Sequence, residues 1–152
     1  MLFASVLSLN AQNTTGTTDF TWLATGLPNF VRYVVVGFAL AGFFLWIYVL
    51  ITPWREFALI RAGNVAAALS LVGALLGFCL PLANTIAHAA SLTDLVLWSL
   101  VALVVQVGVH IALRLLMPYL RKSMEANEIS AGITAGGFSV SFGLINAACL
   151  TT

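Results

Sequence analysis

Charge is what this chain has least of. Six Lys and Arg with five Asp and Glu make up 7% of 152 residues, where a water-soluble domain carries about 25%. Hydrophobic types supply 61% and the mean hydropathy is +1.05, so no soluble fold could hide that apolar surface behind so few charges. Intrinsic disorder is excluded by the same numbers, because it needs low hydrophobicity. A net charge of +1 argues against a nucleic-acid partner. Cysteine is scarce too: Cys79 and Cys149 cannot frame a disulfide scaffold. No cluster of Cys, His and acids has metal-ligand spacing, so neither a metal nor a cofactor is expected.

What is present is long apolar runs. Tyr33 to Thr52, Val65 to Leu82, Leu95 to Leu116 and Ile129 to Leu150 each approach the roughly 20 residues a helix needs to cross about 30 Å of hydrocarbon. They take up more than half the chain and leave no room for a separate soluble domain. The expected fold is therefore all-α, a polytopic membrane protein with four transmembrane helices. Every formal charge except Arg114 lies outside these runs, as the cost of a charge in lipid requires.

The boundaries carry their own chemistry. Pro53 and Pro118 bias the residue before them away from helix, so the first and third spans should end there. Trp54 and Tyr119 follow at once and suit the headgroup layer. Thr93 and Asp94 suit the start of the third helix. Pro81 is expected to kink or end the second, leaving a linker from about Ala83 to Leu92. Residues 1–32 read as a polar, extracytoplasmic tail. Met1 to Leu9 lack the basic region and cleavage site of a signal peptide. Arg55, Arg61, Arg114, Arg121 and Lys122 gather on one side of the spans against Arg32 on the other. The positive-inside rule then places the linkers after the first and third spans in the cytoplasm and both termini outside.

The second half echoes the first. Leu50-Ile51-Thr52-Pro53-Trp54-Arg55 matches Leu116-Met117-Pro118-Tyr119-Leu120-Arg121 with one extra residue before the basic one. Ala67 to Gly73 matches Ala131 to Gly137, and Phe78 falls on Phe142. Each unit reads as a helix, a polar elbow and a return helix, so residues 33–84 and 93–152 are expected to be two tandem helical hairpins.

The run Glu56-Phe57-Ala58-Leu59-Ile60-Arg61-Ala62-Gly63-Asn64-Val65-Ala66-Ala67-Ala68 carries a family resemblance, together with Gly77-Phe78-Cys79-Leu80-Pro81-Leu82 and Gly143-Leu144-Ile145-Asn146-Ala147-Ala148-Cys149. Over about Tyr33 to Thr151 the chain resembles the YjfL-like family of small bacterial inner-membrane proteins. The second elbow departs from the Gly-Asn of the first, having Ala126-Asn127-Glu128. The resemblance implies a four-helix inner-membrane protein in the company of envelope-stress components, and it implies no catalytic residues.

Three sets of residues could carry function. On the third helix Ser99, Gln106, His110 and Arg114 are spaced by seven, four and four, which puts them on one face. An amide and an imidazole within a span should face protein or water, so the face is either a packed polar seam or a hydrated path. Gly73 and Gly77, Gly132 and Gly136, and Gly137 with Ser141 are small-residue steps that let helices approach, within one chain or between copies. The elbows hold Pro53, Trp54, Arg55, Arg61 and Asn64, then Pro118, Tyr119, Arg121, Lys122 and Asn127. Asn64 and Asn127 read as caps of the helices that follow them. His88 and Asp94 supply two ligands without a third. Ser70, Ser139 and Ser141 show no paired base in the sequence.

These features favour a non-enzymatic structural or interaction protein that docks partners through its basic elbows or assembles with itself in membrane lipid. The alternative is a small oligomeric channel or transport subunit lined by Gln106 and His110.

Overall fold

The computed structural model describes residues 21–150 apart from Pro53, with side chains from residue 26 onward. Met1 to Leu9 and the rest of the tail through Phe20 lie outside the described residues, as does Pro53. The chain divides into two units, Met1–Arg32 and Tyr33–Thr152. Among the described residues there are six helices and no strand: α1 (Thr21–Ile51), α2 (Glu56–Arg61), α3 (Val65–His88), α4 (Leu92–Leu116), α5 (Leu120–Glu125) and α6 (Ile129–Cys149). Four of them, Gly26–Ile51 within α1, then α3, α4 and α6, are long and apolar enough to cross a membrane. The fold is that of an all-α, four-span membrane protein.

Three boundaries differ from the sequence reading. The first helix begins at Thr21 instead of Tyr33, so Arg32 lies within it. Leu27, Phe30 and Val31 extend its apolar run past Pro28, outweighing the polar residues between them. Pro81 does not end the second long helix, which runs on to His88. Pro81 is buried there, and the carbonyl its missing N–H frees, that of Gly77, lies against Gly143 on α6. Neighbouring helices allow a membrane helix to keep such a proline. The turn to α4 shrinks accordingly, and Ser91 is the cap in place of Thr93: its hydroxyl accepts from the Asp94 N–H at 3.2 Å. Asp94 in return accepts from the Ala90 N–H at 3.2 Å.

The centre of the second unit is the pairing of α3 with α6, and glycine makes it close. A Cβ on Gly73 would strike Gly136, one on Gly77 would strike the Gln106 amide and Ser139, and one on Gly143 would strike Gly77. Gly132 sits equally near the Ala66 backbone. In lipid no hydrophobic force drives helices together, so contact of this kind, where backbone meets backbone, supplies the attraction. Large side chains fill the flanks. Leu40, Phe44 and Tyr48 of α1 pack with Ala74, Phe78 and Leu82 of α3 and with Leu95, Ala102 and Leu103 of α4. Phe44 stacks on Phe78 with ring centroids 4.6 Å apart.

The two elbows repeat one local conformation. Each short helix is six residues long and leads to a residue in the left-handed region, Gly63 (φ +82°) in one and Asn127 (φ +59°) in the other. Each is followed by an extended N-cap, Asn64 (φ −73°, ψ 107°) and Glu128 (φ −72°, ψ 107°). Glycine reaches that region freely, and asparagine is among the few other residues that tolerate it.

Candidate functional site

The polar side chains of the second unit converge where α1 ends and the elbows begin. Tyr48, one turn from the end of α1, donates its hydroxyl to Glu56 Oε1 at 2.6 Å, and the Trp54 indole N–H donates to the same oxygen at 3.0 Å. Ser70 of α3 lies 3.0 Å from the Tyr48 oxygen. Because the single phenolic proton already points at Glu56, Ser70 is the donor in that bond. Glu56 is 1% exposed, and its second oxygen, Oε2, is buried without a partner. No cation among the described residues is paired with it; the one ion pair there is the exposed Arg121–Glu125, at 3.0 Å. Burial pushes the Glu56 carboxyl up to about 7, and the bonds from Tyr48 and Trp54 only partly oppose that.

A second network lies beside the first. Gln106 is fully buried and donates its amide to the Ser139 carbonyl of α6 at 3.0 Å, while its own Oε1 has no partner. His110 is half-buried, with Nδ1 at 2.7 Å from the Gln106 backbone carbonyl and Nε2 at 2.9 Å from the Ser139 hydroxyl. A carbonyl only accepts, so Nδ1 carries a proton, and in the tautomer with Nε2 bare Ser139 donates to Nε2. The edge of His110 meets the Tyr48 ring with centroids 4.8 Å apart, joining the two networks.

Of the residues on the expected polar face, Ser99, Gln106 and His110 therefore turn into the protein, Ser99 with an unpartnered buried hydroxyl. Arg114 is exposed and donates to the Ile51 carbonyl at the end of α1, at 3.3 Å. Gln106 and His110 meet through the Gln106 backbone and not through its side chain. Ser139, which showed no base in the sequence, has one in His110. Its hydroxyl is nonetheless sealed in the α4–α6 contact, since the residue is fully buried.

The small-residue steps divide. Gly73, Gly77, Gly132 and Gly136 are consumed between α3 and α6. Gly137 faces open space, and Ser141 is exposed with its hydroxyl returned to the Gly137 carbonyl at 2.8 Å.

Asparagine ties the elbows together. Asn64 caps its own helix, accepting from the Ala67 N–H at 2.8 Å, and its amide donates to the Met124 carbonyl in the other elbow at 2.7 Å. Asn127 does not cap the helix after it, whose N-cap is Glu128 with no side-chain cap bond. It reaches across and accepts from the Ala66 N–H of α3 at 3.1 Å.

The aromatic pair also divides: Tyr119 is 59% exposed, whereas Trp54 is buried at 7% and serves Glu56 instead of a headgroup layer. Arg55, Arg61, Pro118 and Lys122 are exposed. At the opposite ends of the helices, His88 is exposed with Nδ1 2.9 Å from the Asn84 carbonyl, and Cys79 and Cys149 are free thiols.

Sequence reasoning missed Tyr48 and Glu56. Glu56 counted as one of several charges in a polar linker. The available signal was its place one residue after a short Pro-Trp-Arg break, with an aromatic hydroxyl eight positions earlier on a helix about to end.

The sequences of known proteins agree with this architecture. The family described as Domain of Unknown Function (DUF350) matches residues 21–150. The UPF0719 inner membrane protein YjfL of Escherichia coli (strain K12) is 38% identical over 125 residues, which cover 82% of this chain and 95% of the relative. The protein of the same name from Escherichia coli O157:H7 matches over the same extent at the same identity. No solved structure matches the chain. Four membrane-crossing helices and a family match along their whole length place the chain in the DUF350 family, among the YjfL-like inner-membrane proteins.

Proposed function

We propose that this chain is a non-enzymatic structural or interaction module of the bacterial inner membrane, working in the envelope- or membrane-stress response. In this reading two tandem hairpins form a rigid core, both termini are extracytoplasmic, and the exposed basic elbow residues Arg55, Arg61 and Lys122 dock a cytoplasmic partner or a second copy. The observation that supports it best is the burial of the Gln106 face. Gln106 and Ser99 are fully buried and Ser139 closes over the amide, so these polar groups of α4 are spent on packing inside the protein. The Ser139–His110 pair resembles a nucleophile and its base, but a fully buried hydroxyl offers no approach to a substrate.

The test uses single cysteines at residues 106 and 110 in a Cys-free background, in native membranes. Both are expected to resist a small polar thiol reagent, and purified protein is expected to show no labelling of Ser139 by a fluorophosphonate. Ready modification at both positions, with ion flux in vesicles altered by His110→Ala, would replace this reading with the oligomeric channel. Covalent labelling of Ser139 would replace it with a hydrolase.

A further inference from the structure

Beside Tyr48 and His110 lies a cavity of about 390 Å³, walled by Trp54, Leu113, Leu120 and Ala135 among others, with one cation, Arg114, on its lining. Three of its wall residues, Leu50, Ile111 and Leu115, are themselves 65%, 45% and 76% exposed. They belong to helices long and apolar enough to cross a membrane, so acyl chains would lie against this side of the cavity. A second cavity of about 210 Å³ shares the Trp54, Arg114, Leu115 and Leu120 wall and adds Arg121. No acid lines either one among the described residues.

Arg114 commits one N–H to the Ile51 carbonyl, out of the five a guanidinium presents. Arg121 uses Nε on Glu125 at 3.0 Å, leaving its terminal nitrogens outside that bond. Two guanidinium groups at the rim of an apolar slot, at the end of two spans, have the chemistry of a phosphate headgroup with a tail attached. Water gains little from walls that offer few polar partners.

We propose that this pair of cavities is a binding site for an anionic phospholipid, its phosphate held by Arg114 with help from Arg121 and one acyl chain seated against Tyr48, His110 and Leu113. The site is distinct from the elbow cations Arg55 and Arg61, which line neither cavity. It holds whether or not the chain docks a protein partner, and for a stress-responsive membrane protein it would be a direct contact with headgroup charge.

The experiment is native mass spectrometry of the full chain released from detergent micelles doped with dioleoyl phosphatidylglycerol or dioleoyl phosphatidylcholine. Wild type is expected to retain one phosphatidylglycerol in preference to phosphatidylcholine. Arg114→Gln should lower phosphatidylglycerol retention about tenfold, the size of one charge-assisted hydrogen bond; Arg121→Gln should lower it less, and Arg61→Gln not at all. Ile111→Trp, which adds bulk at an exposed wall position, should reduce retention of either lipid and keeps the test open should Arg114→Gln fail to fold. Inorganic phosphate should not compete. Equal retention of the two lipids by wild type would overturn the site. So would unchanged phosphatidylglycerol retention in Arg114→Gln, or a lipid-free dimer in which a second copy covers Ile111 and Leu115.

Discussion

Along the α3–α6 seam the chain removes side chains; where α1 ends and the first elbow begins, it inserts large polar ones. Gly73, Gly77, Gly136 and Gly143 bring the two backbones into direct contact, leaving no volume for water or ligand and no polar group to protonate. Near the first elbow, Tyr48 and Trp54 wall a cavity of about 390 Å³ and both donate to Glu56, a buried carboxyl with one oxygen unpartnered. The seam gains dispersion energy from contact. The elbow end gives up some of it, and in exchange holds a group whose charge can change. Stability is thus concentrated in one half of the core and responsiveness in the other.

The sharpest way to break the seam is bulk. Gly77→Leu would press a side chain into Ser139 and the Gln106 amide, and should cost about 3 kcal/mol, the upper end for overpacking. Leu76→Ala, at a position 52% exposed, should cost far less. Thermal aggregation of the detergent-solubilised proteins reads both, and equal midpoints for Gly77→Leu and wild type would mean that the helices do not touch there.

The elbow end should respond to pH where the seam does not. Glu56 is raised from 4.5 to about 7 by burial, so between these values the folded protein holds a proton that the unfolded chain has released. Stability is then full below about pH 4.5 and falls as pH rises towards 7, by about 3 kcal/mol in all. Glu56→Gln should flatten that decline while leaving the pH-independent part in place. Unfolding midpoints measured from pH 4.5 to 8 for both proteins check it, and parallel curves would show that Glu56 titrates normally.

Asn127 tests whether the elbows are locked to each other. Asn127→Ala keeps the left-handed backbone but loses its tolerance and the cap on Ala66, and should cost about 2 kcal/mol. Asn127→Gly loses the cap alone and should cost about half as much, by the same melting assay. The smallest effect belongs to Gly137→Leu. Nothing lies within 4 Å of its Cβ direction, so the change should fall within about 0.5 kcal/mol. A large loss would reveal a partner on that face.

Much of this fold was legible because lipid imposes coarse rules. Four apolar runs, a proline after the first and third, and charges kept outside them are one-dimensional signals, and α1 and α4 do end at Ile51 and Leu116. Legibility failed where a residue's role depends on a neighbour distant in sequence. Pro81 reads as a breaker, yet α6 packs against the helix and the chain continues. Gly136 and Gly137 look alike in sequence, but helical rotation puts one in the seam and the other on the surface. Trp54 and Tyr119 occupy matching positions, and only Trp54 finds a buried carboxyl to serve.

What the sequence determined alone is therefore the class: a membrane protein of four helices with polar elbows, because the transfer cost of charge and backbone into hydrocarbon acts on each segment independently. The tertiary structure decided the site. Tyr48 meets Glu56 and Ser70 through bonds that span eight and twenty-two residues, and His110 meets Ser139 across twenty-nine. A side chain's titration, partners and access depend on which atoms surround it, and for these residues the surrounding atoms come from helices that only packing brings together.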